Sequence, residues 1–410
     1  MTSFTASGLA PDRVAGYADA IVATYVDMRP GDTILVDCEP THRELAVAIA
    51  TAAYRRGAQL VDVAYQDRRL QAARIREGGD TALGVVAPWH RARLRSALSE
   101  TTAIIRVVGD EEPGILANLD PGRASRDFQA RARTMSWFSR AVVGNRIRWT
   151  IVAWPTPEWA ATVYPELPVA DAVLRLGEDI LDFARRGTAD GEDAWTTHCR
   201  MLRARARDLT ERRFARLEFR GPGTELDVGL FDDTVWLGGG DETATGRPIS
   251  PNVPTEEVFT SPDPVRTQGT FRCTTPLSFN GRVISGIEGR FHRGRLTEIR
   301  ADDDGDRAIL EQTFSTDRGA GRLGEVALVD RTSRIGRRHR TYGETLLDEN
   351  AASHIALGNG FTGTREGGGR LNRSVVHLDV MIGSDEVEVT GVDAQGVRTP
   401  VLSGGDWRLS

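Results

Sequence analysis

The chain has 410 residues, of which 40% are hydrophobic and 27% charged, so its composition is that of a globular protein and not a disordered one. Its formal net charge of −6 at pH 7 argues against general nucleic-acid binding, which needs a basic surface. A chain of this length exceeds one ordinary hydrophobic core, so two domains are expected.

Signals for export or membrane insertion are absent from the sequence. Its first residues lack the apolar core of a signal peptide, and it has no apolar run of about 18 residues. Cys38, Cys199 and Cys273 are far apart and odd in number, so neither a disulfide framework nor a zinc ribbon is indicated. We therefore expect a cytoplasmic protein with no membrane partner and no nucleic-acid partner.

The first half of the chain alternates strand-like and helix-like segments. TILVDC (33–38) predicts a buried strand, and the next segment has helical apolar spacing up to Gly57. Further strands are predicted at 60–65, 103–109 and 148–154. Two amphipathic helices follow at 166–215. This alternation predicts a doubly wound α/β domain over residues 1–215, with a parallel sheet covered by helices.

The second half has a different pattern. From residue 216 onward, short alternating runs are separated by Gly, Pro, Asn and Asp, which is typical of antiparallel strands joined by turns. The sequence therefore predicts a β-rich α+β domain over residues 216–410.

A histidine and an aspartate lie two residues apart in the predicted strand SVVHLDVMIG (374–383). Because side chains of a strand alternate between its faces, His377 and Asp379 point to one side and the neighbouring aliphatic residues to the other. From this motif alone two interpretations stay open: a hydrogen-bonded polar pair on a solvated face, or two metal ligands.

The other histidines differ in their surroundings. His354 lies in TLLDENAASHIALGNG, whose apolar spacing predicts a helix that ends at Gly358 and carries His354 on its last turn. The remaining histidines are interpreted as surface or satisfied polar residues, without a metal-binding partner at a useful spacing: His42, His90, His198, His292 and His339.

Two acidic positions complete a candidate set. Glu256 and Glu257 follow the proline turn of NVPTEEVF, and Glu325 lies at the mouth of the apolar strand LGEVALV, where an unpaired carboxylate would be costly. Carboxylates and imidazoles together suit zinc or a similar divalent ion. Several carboxylates beside two histidines suit two ions about 3.5–4 Å apart, which polarise a carbonyl and activate a water.

Four motifs carry a family resemblance: NVPTEEVFTSPD (252–263), LGEVALV (323–329), TLLDENAASHIALG (345–358) and HLDVMIG (377–383). They resemble those of the aminopeptidase T and aminopeptidase S family of metallopeptidases, also called thermophilic leucyl aminopeptidases. The resemblance implies two divalent metal ions, zinc or else cobalt or manganese, held by Glu257, Glu325, His354, His377 and Asp379.

Glu257 is preferred to Glu256 as the ligand because its spacing to the later motifs fits the family better. Adjacent residues of an extended chain also point apart, so the two glutamates are not expected to bind the same ion. Glu256 is left as a general base or as a residue that supports a ligand.

The implied function is a dinuclear-metal aminopeptidase, or a closely related amide hydrolase, that acts as a homodimer on small peptides or amino-acid amides. The sequence departs from the family at one notable position. Seven residues after His354 the family carries a tyrosine, whereas this chain has Phe361 and so lacks a hydroxyl that could bind metal or stabilise an oxyanion.

Other functions stay open at this point. His354, His377 and Asp379 alone form a two-histidine, one-carboxylate triad that suits non-haem Fe(II), and ring-cleaving dihydroxypyridine dioxygenases resemble distant relatives of the family. The two glutamate motifs argue against this alternative. A biosynthetic amide hydrolase with a non-peptide substrate, and a metal-binding protein without catalysis, are the remaining alternatives.

Overall fold

The computed structural model of the protein describes residues 7–99, 101–116, 119–191, 193–279 and 282–409. Across these residues, no helix combines the length and the apolar character needed to cross a membrane. Elements are numbered along the chain.

The helices are α1 Pro11–Ala20, α2 Arg43–Arg55, α3 Arg68–Glu77, α4 Pro88–Ser96, α5 Pro121–Val143, α6 Pro157–Val163, α7 Val169–Phe183, α8 Ala194–Arg212, α9 Asp304–Phe314 and α10 Thr345–Asp348. Single turns of π-helix or 3₁₀-helix occupy Ile21–Tyr25, Pro40–His42, Asp80–Ala82 and Gly336–Arg338.

The first ten strands are β1 Thr33–Cys38, β2 Leu60–Tyr65, β3 Thr102–Val108, β4 Arg148–Ala153, β5 Arg216–Gly221, β6 Thr224–Gly229, β7 Leu237–Gly238, β8 Asp241–Glu242, β9 Pro248–Ile249 and β10 Asn252–Val253. The others are β11 Val258–Thr260, β12 Thr267–Arg272, β13 Leu277–Phe279, β14 Arg282–Ile284, β15 Glu288–His292, β16 Arg295–Arg300, β17 Leu323–Leu328, β18 His354–Gly358, β19 His377–Met381, β20 Glu388–Val392, β21 Arg398–Ser403 and β22 Asp406–Trp407.

Two compact units divide the described residues. The first contains the chain up to Ala194, the segment Gly240–Val253 and Arg282, and the second contains the remainder. The chain thus first passes between units at Ala194, whereas the sequence places the domain boundary near 215. Independently folding domains over 1–215 and 216–410 stay a prediction.

The first unit contains the parallel sheet that the sequence predicts. Its strand order is β2-β1-β3-β4-β10, and every neighbouring pair is parallel. The fifth strand, β10, consists of two residues that pair with Ile151 and Val152 of β4. The sequence places these two residues in the second domain, because so short a strand carries no periodic signal.

The second unit contains two antiparallel sheets, which confirms its predicted β-rich character. The larger has the order β16-β15-β12-β6-β5-β20-β21-β22, and the smaller has the order β19-β18-β17-β11-β7. Both sheets and helix α8 contribute to one apolar core, which includes Leu209, Phe219 and Ile355.

The helix predicted through His354 is wrong beyond Asp348. Helix α10 ends there, and His354 is the first residue of β18, which pairs with β17 on one side and β19 on the other. Ile355 and Leu357 alternate into the core. Pairing on both edges satisfies the backbone of this segment, so tertiary context overrides a helical spacing that was coincidental.

Candidate metal site

The five residues proposed as ligands come together at one sheet of the second unit. Glu257 directly precedes β11, Glu325 lies on β17, and His354 begins β18. His377 and Asp379 both lie on β19. These four strands are consecutive neighbours in the order β19-β18-β17-β11.

Strand register places the side chains on one face. Ala356 of β18 pairs with Glu325 on one side and with Asp379 on the other, and Gly358 pairs with His377. Paired residues of antiparallel strands point to the same face. The sheet therefore presents its polar residues on the face opposite the apolar core, and the small residues of β18 leave room between them.

Gly358 is required by the local geometry of this face. Its φ of +115° is one that residues with a side chain rarely adopt, and an added Cβ would clash with the carbonyl oxygen of Val376. Glycine at this position lets β18 approach β19 beside His377.

The candidate ligand atoms form two groups of three, and within each group they lie within 4.8 Å of one another. The first group consists of Glu257, Glu325 and His354, and the second of Glu325, His377 and Asp379. Glu325 belongs to both groups, which is the arrangement expected of a carboxylate between two ions.

The closest contacts are between imidazole nitrogens and carboxylate oxygens. Nε2 of His354 lies 3.2 Å from Oε2 of Glu257. Nε2 of His377 lies 3.2 Å from Oε2 of Glu325 and 3.3 Å from Oδ1 of Asp379.

Backbone carbonyls orient both imidazoles. Nδ1 of His377 lies 2.9 Å from the carbonyl oxygen of Asn359, and Nδ1 of His354 lies 3.3 Å from that of Ala352. A carbonyl oxygen can only accept, so each Nδ1 carries the proton. Both rings therefore present Nε2 to the carboxylates, as metal-binding histidines do.

Burial and neighbouring charges shift the pKa values of the candidate ligands. Burial raises the pKa of Glu325 to about 7, and the charges of Glu257 and Asp379 act in the same direction. Burial alone would lower the pKa of His354, but the adjacent carboxylate of Glu257 raises it to about 10. The pKa of His377 is likewise raised well above its ordinary value, mainly by Asp379, although burial opposes the shift.

Two carboxylate oxygens indicate whether the five candidate ligands fit a metal ion. Oε2 of Glu257 and Oδ1 of Asp379 are buried, and neither makes a hydrogen bond of good geometry among the described residues, although each faces an imidazole Nε2 at 3.2 or 3.3 Å. These atoms belong to the two ligand groups. Three buried carboxylates share two imidazoles here, so protonated rings alone do not compensate their charge, and the residues fit divalent ions.

Glu256 does not join either ligand group. Its Oε1 accepts the backbone N–H of Arg334 at 3.3 Å, and its Oε2 lies 3.6 Å from Nε2 of His198. His198 is therefore a buried neighbour of Glu256. The sequence gives no signal for this partner, because the two residues are far apart along the chain.

Glu349 is a carboxylate that sequence analysis did not include. Burial raises its pKa well above the ordinary value, and the charges of Asp379 and Glu257 raise it further. These interactions bring Glu349 within the electrostatic influence of the ligand groups. In the sequence, the signal that Glu349 lies near the candidate ligands was its position five residues before His354, in the same motif.

Phe361 lies beside the candidate ligands. Its ring meets the imidazole of His377 edge to face, with centroids 5.0 Å apart, and meets Phe259 in the same manner at 5.3 Å. Its backbone N–H donates to Oγ of Ser261 at 2.8 Å. The position at which the resembling family is expected to carry a hydroxyl is thus occupied by an apolar ring.

The chain is similar to known proteins of one family over nearly its whole length. The model of a family described as thermophilic metalloproteases (M29) matches residues 11–407. Aminopeptidase T of Thermus thermophilus is 37% identical over 400 residues, which cover 95% of this chain and 97% of that protein. The solved structure of wild-type AmpT from Thermus thermophilus superposes with a TM-score of 0.91 at 36% identity, covering 97% of this chain and 99% of that one.

A second solved structure bears on the dioxygenase alternative. The 2,5-dihydroxypyridine dioxygenase of Pseudomonas putida superposes with a TM-score of 0.55 at 13% identity, covering 98% of this chain and 99% of that one. At this identity the likeness concerns the fold alone.

Proposed function

The chain belongs to the M29 family of thermophilic metalloproteases, and from this premise we propose that it is a metal-dependent aminopeptidase. The observation that supports the proposal is the pair of ligand groups that share Glu325, in which three buried carboxylates are matched by two imidazoles. The substrates are small peptides or amino-acid amides with a free α-amine.

We assign two divalent ions to the site. Glu257 and His354 would hold one, His377 and Asp379 would hold the other, and Glu325 would contribute to both. The shared glutamate supports a dinuclear centre, and the mixed carboxylate and imidazole donors support zinc, with cobalt or manganese as substitutes.

The chemistry follows from this donor set. Bound ions would polarise the scissile carbonyl and lower the pKa of a water so that it attacks at neutral pH. The protein supplies the orientation: the backbone carbonyls of Asn359 and Ala352 hold the imidazoles with Nε2 facing inward. The mostly buried carboxylates keep the reacting groups in a low-dielectric setting, where electrostatic interactions are stronger.

Two carboxylates are candidates for moving the proton. Glu256 is the candidate from the sequence, and it contacts His198 and the N–H of Arg334. Glu349 is the candidate from the structure, because its charge interacts with Asp379 and Glu257. Glu256→Gln and Glu349→Gln separate them, since the residue that moves the proton loses turnover at wild-type metal content.

The free amine provides the test of the function. If the ions hold the α-amine, leucine amide is hydrolysed and N-acetyl-leucine amide is not, with about two zinc-like ions per chain by elemental analysis. Equal turnover of both amides would instead indicate a hydrolase that does not recognise the amine.

A ring-cleaving dioxygenase is not favoured. That chemistry needs one iron held by two histidines and one carboxylate, whereas Glu257 and Glu325 add two further carboxylates here. Purification with one iron per chain, together with oxygen-dependent cleavage of a dihydroxypyridine, would reverse this ranking.

The remaining features of the proposal come from the family resemblance and the sequence. We propose a homodimer located in the cytoplasm, with a doubly wound N-terminal domain over residues 1–215 and a metal-binding domain over 216–410. The placement of β2 and β3 on opposite sides of β1 supports the doubly wound topology. Light scattering coupled to size exclusion tests the dimer.

A further inference from the structure

One peptide bond beside the proposed ligands is held at both of its polar atoms by side chains. It joins Thr255 and Glu256. The carbonyl oxygen of Thr255 accepts from Nε2 of His198 at 2.7 Å, and the N–H of Glu256 donates to Oδ1 of Asn350 at 2.7 Å. The segment lies between β10 and β11 and belongs to neither strand, so this pair of side chains takes the place of a sheet ladder.

Both side chains are themselves fixed. His198 lies on α8, is buried, and faces the ring of Trp195 at a centroid distance of 6.3 Å. Asn350 is fully buried, and its Nδ2 donates to the carbonyl oxygen of Leu346 at 3.0 Å. We call His198, Asn350 and the Thr255–Glu256 peptide bond the peptide clamp.

The orientation of this peptide plane determines where the next two side chains point. The plane sets φ of Glu256 and hence the path into Glu257. Glu257 places Oε2 3.2 Å from Nε2 of His354, while Glu256 places Oε1 against the N–H of Arg334. A rotated plane would carry both carboxylates away from these partners.

We infer that His198 and Asn350 are positioning residues, which hold the peptide clamp so that Glu257 stays directed at the metal group. The inference rests on the proposed function, because it assigns Glu257 as a ligand. Residues that orient a ligand typically change metal affinity or activity by about 10–100-fold when they are removed.

The experiment compares variants that fold as the wild type does: three single changes at histidines, and Asn350→Leu alone and combined with His198→Phe. His198→Phe keeps a ring of similar volume but has no donor, and His198→Gln keeps an N–H donor. His292→Phe is the matched control, since His292 is exposed on β15. Zinc affinity is measured by titrating the metal-free protein against a chromogenic chelator. Amide hydrogen exchange is measured on the proteolytic peptide that contains Glu256.

We expect His198→Phe to lower zinc affinity about 10–100-fold and to speed exchange at Glu256, with most of the loss recovered in His198→Gln. His292→Phe should match the wild type. On a free-energy scale, the loss of zinc affinity when Asn350→Leu is combined with His198→Phe should be smaller than the sum of the losses in the two single variants. Either single change already releases the same peptide plane.

Wild-type zinc affinity in His198→Phe would overturn the inference. Equal losses of zinc affinity in His198→Phe and His198→Gln would also overturn it, because they would show that the effect comes from packing of the ring. Failure of the unmodified chain to bind zinc would refute the proposed function. In that case the exchange measurement still tests the peptide clamp, because unchanged exchange at Glu256 in His198→Phe would refute it.

Discussion

Phe361 shows how one residue can set the chemistry beside a metal. Its ring lies edge to face against His377, with centroids 5.0 Å apart. A hydroxyl at such a position can donate to a developing oxyanion, and removing one such donor typically costs about 10²–10³ in kcat. The ring of phenylalanine occupies similar space but offers no donor.

Phe361→Tyr is therefore expected to fold as the wild type does and to raise kcat on leucine amide at least about tenfold. Steady-state kinetics on leucine amide measure this. Phe361→Leu is the control, because it also lacks a hydroxyl and should show no gain. An unchanged kcat in Phe361→Tyr would mean that the added hydroxyl does not reach the reacting carbonyl.

His377 is the residue for testing the ligand assignment. Its imidazole is oriented by Asn359 and lies within 3.3 Å of Asp379 and Glu325. We expect His377→Ala and Asp379→Ala to lose bound metal while far-UV circular dichroism stays unchanged, because a chain with a large core does not depend on its metal to fold. Unaltered metal stoichiometry in both variants, relative to a His292→Ala control, would refute the assignment.

The two faces of strand β18 have different roles. Ile355 and Leu357 face the core, whereas Ala356 lies between Glu325 and Asp379 on the polar face. Because side chains of a strand alternate between its two faces, this five-residue strand both packs in the core and lines the candidate metal site.

Two neighbouring substitutions should separate these tasks. Ala356→Leu fills the space between the carboxylates, so we expect loss of bound metal, with an overpacking cost of about 1–3 kcal/mol. Ile355→Val leaves wild-type metal content and costs about 0.5–1.5 kcal/mol of unfolding free energy. Elemental analysis and urea denaturation measure the two effects. Metal retained in Ala356→Leu would contradict the assigned faces.

The stability of the whole molecule should depend on pH in a manner set by the metal. Without metal, Glu325 has a folded pKa of about 7, above its ordinary value of 4.5, and His354 has one of about 10, above 6.5. Each group binds its proton more tightly in the folded state. Each contribution is therefore fully present below the unfolded pKa and is lost as pH rises through the folded one.

The metal-free protein is accordingly expected to lose stability as pH rises from about 5 to 9, while zinc compensates the carboxylates. The difference in Tm between zinc-loaded and EDTA-treated protein should therefore widen with pH, as scanning calorimetry can measure. Glu325→Gln should weaken the pH dependence of the metal-free form. A difference in Tm that narrows as pH rises would contradict the expected direction of this dependence.

The sequence predicted those site residues that lie within short local motifs. The motifs around Glu257, Glu325, His354 and His377 each contain their own pattern, and the structure brings these residues to one face of one sheet. Their role as ligands stays a prediction. His198 gave no such signal, since its partner carbonyl at Thr255 lies 57 residues away.

By itself, the sequence determined the two kinds of sheet, the strand carrying His377 and Asp379, and the motifs that indicate the family, because periodicity and short motifs are local properties. Tertiary structure alone decided that His354 begins a strand, since that segment gains hydrogen bonds from β17 and β19 on its two edges. It also decided that Asn252 and Val253 join the parallel sheet through β4. Such pairings depend on residues far apart along the chain, and the free energy of burying and pairing them exceeds any local preference for helix or turn.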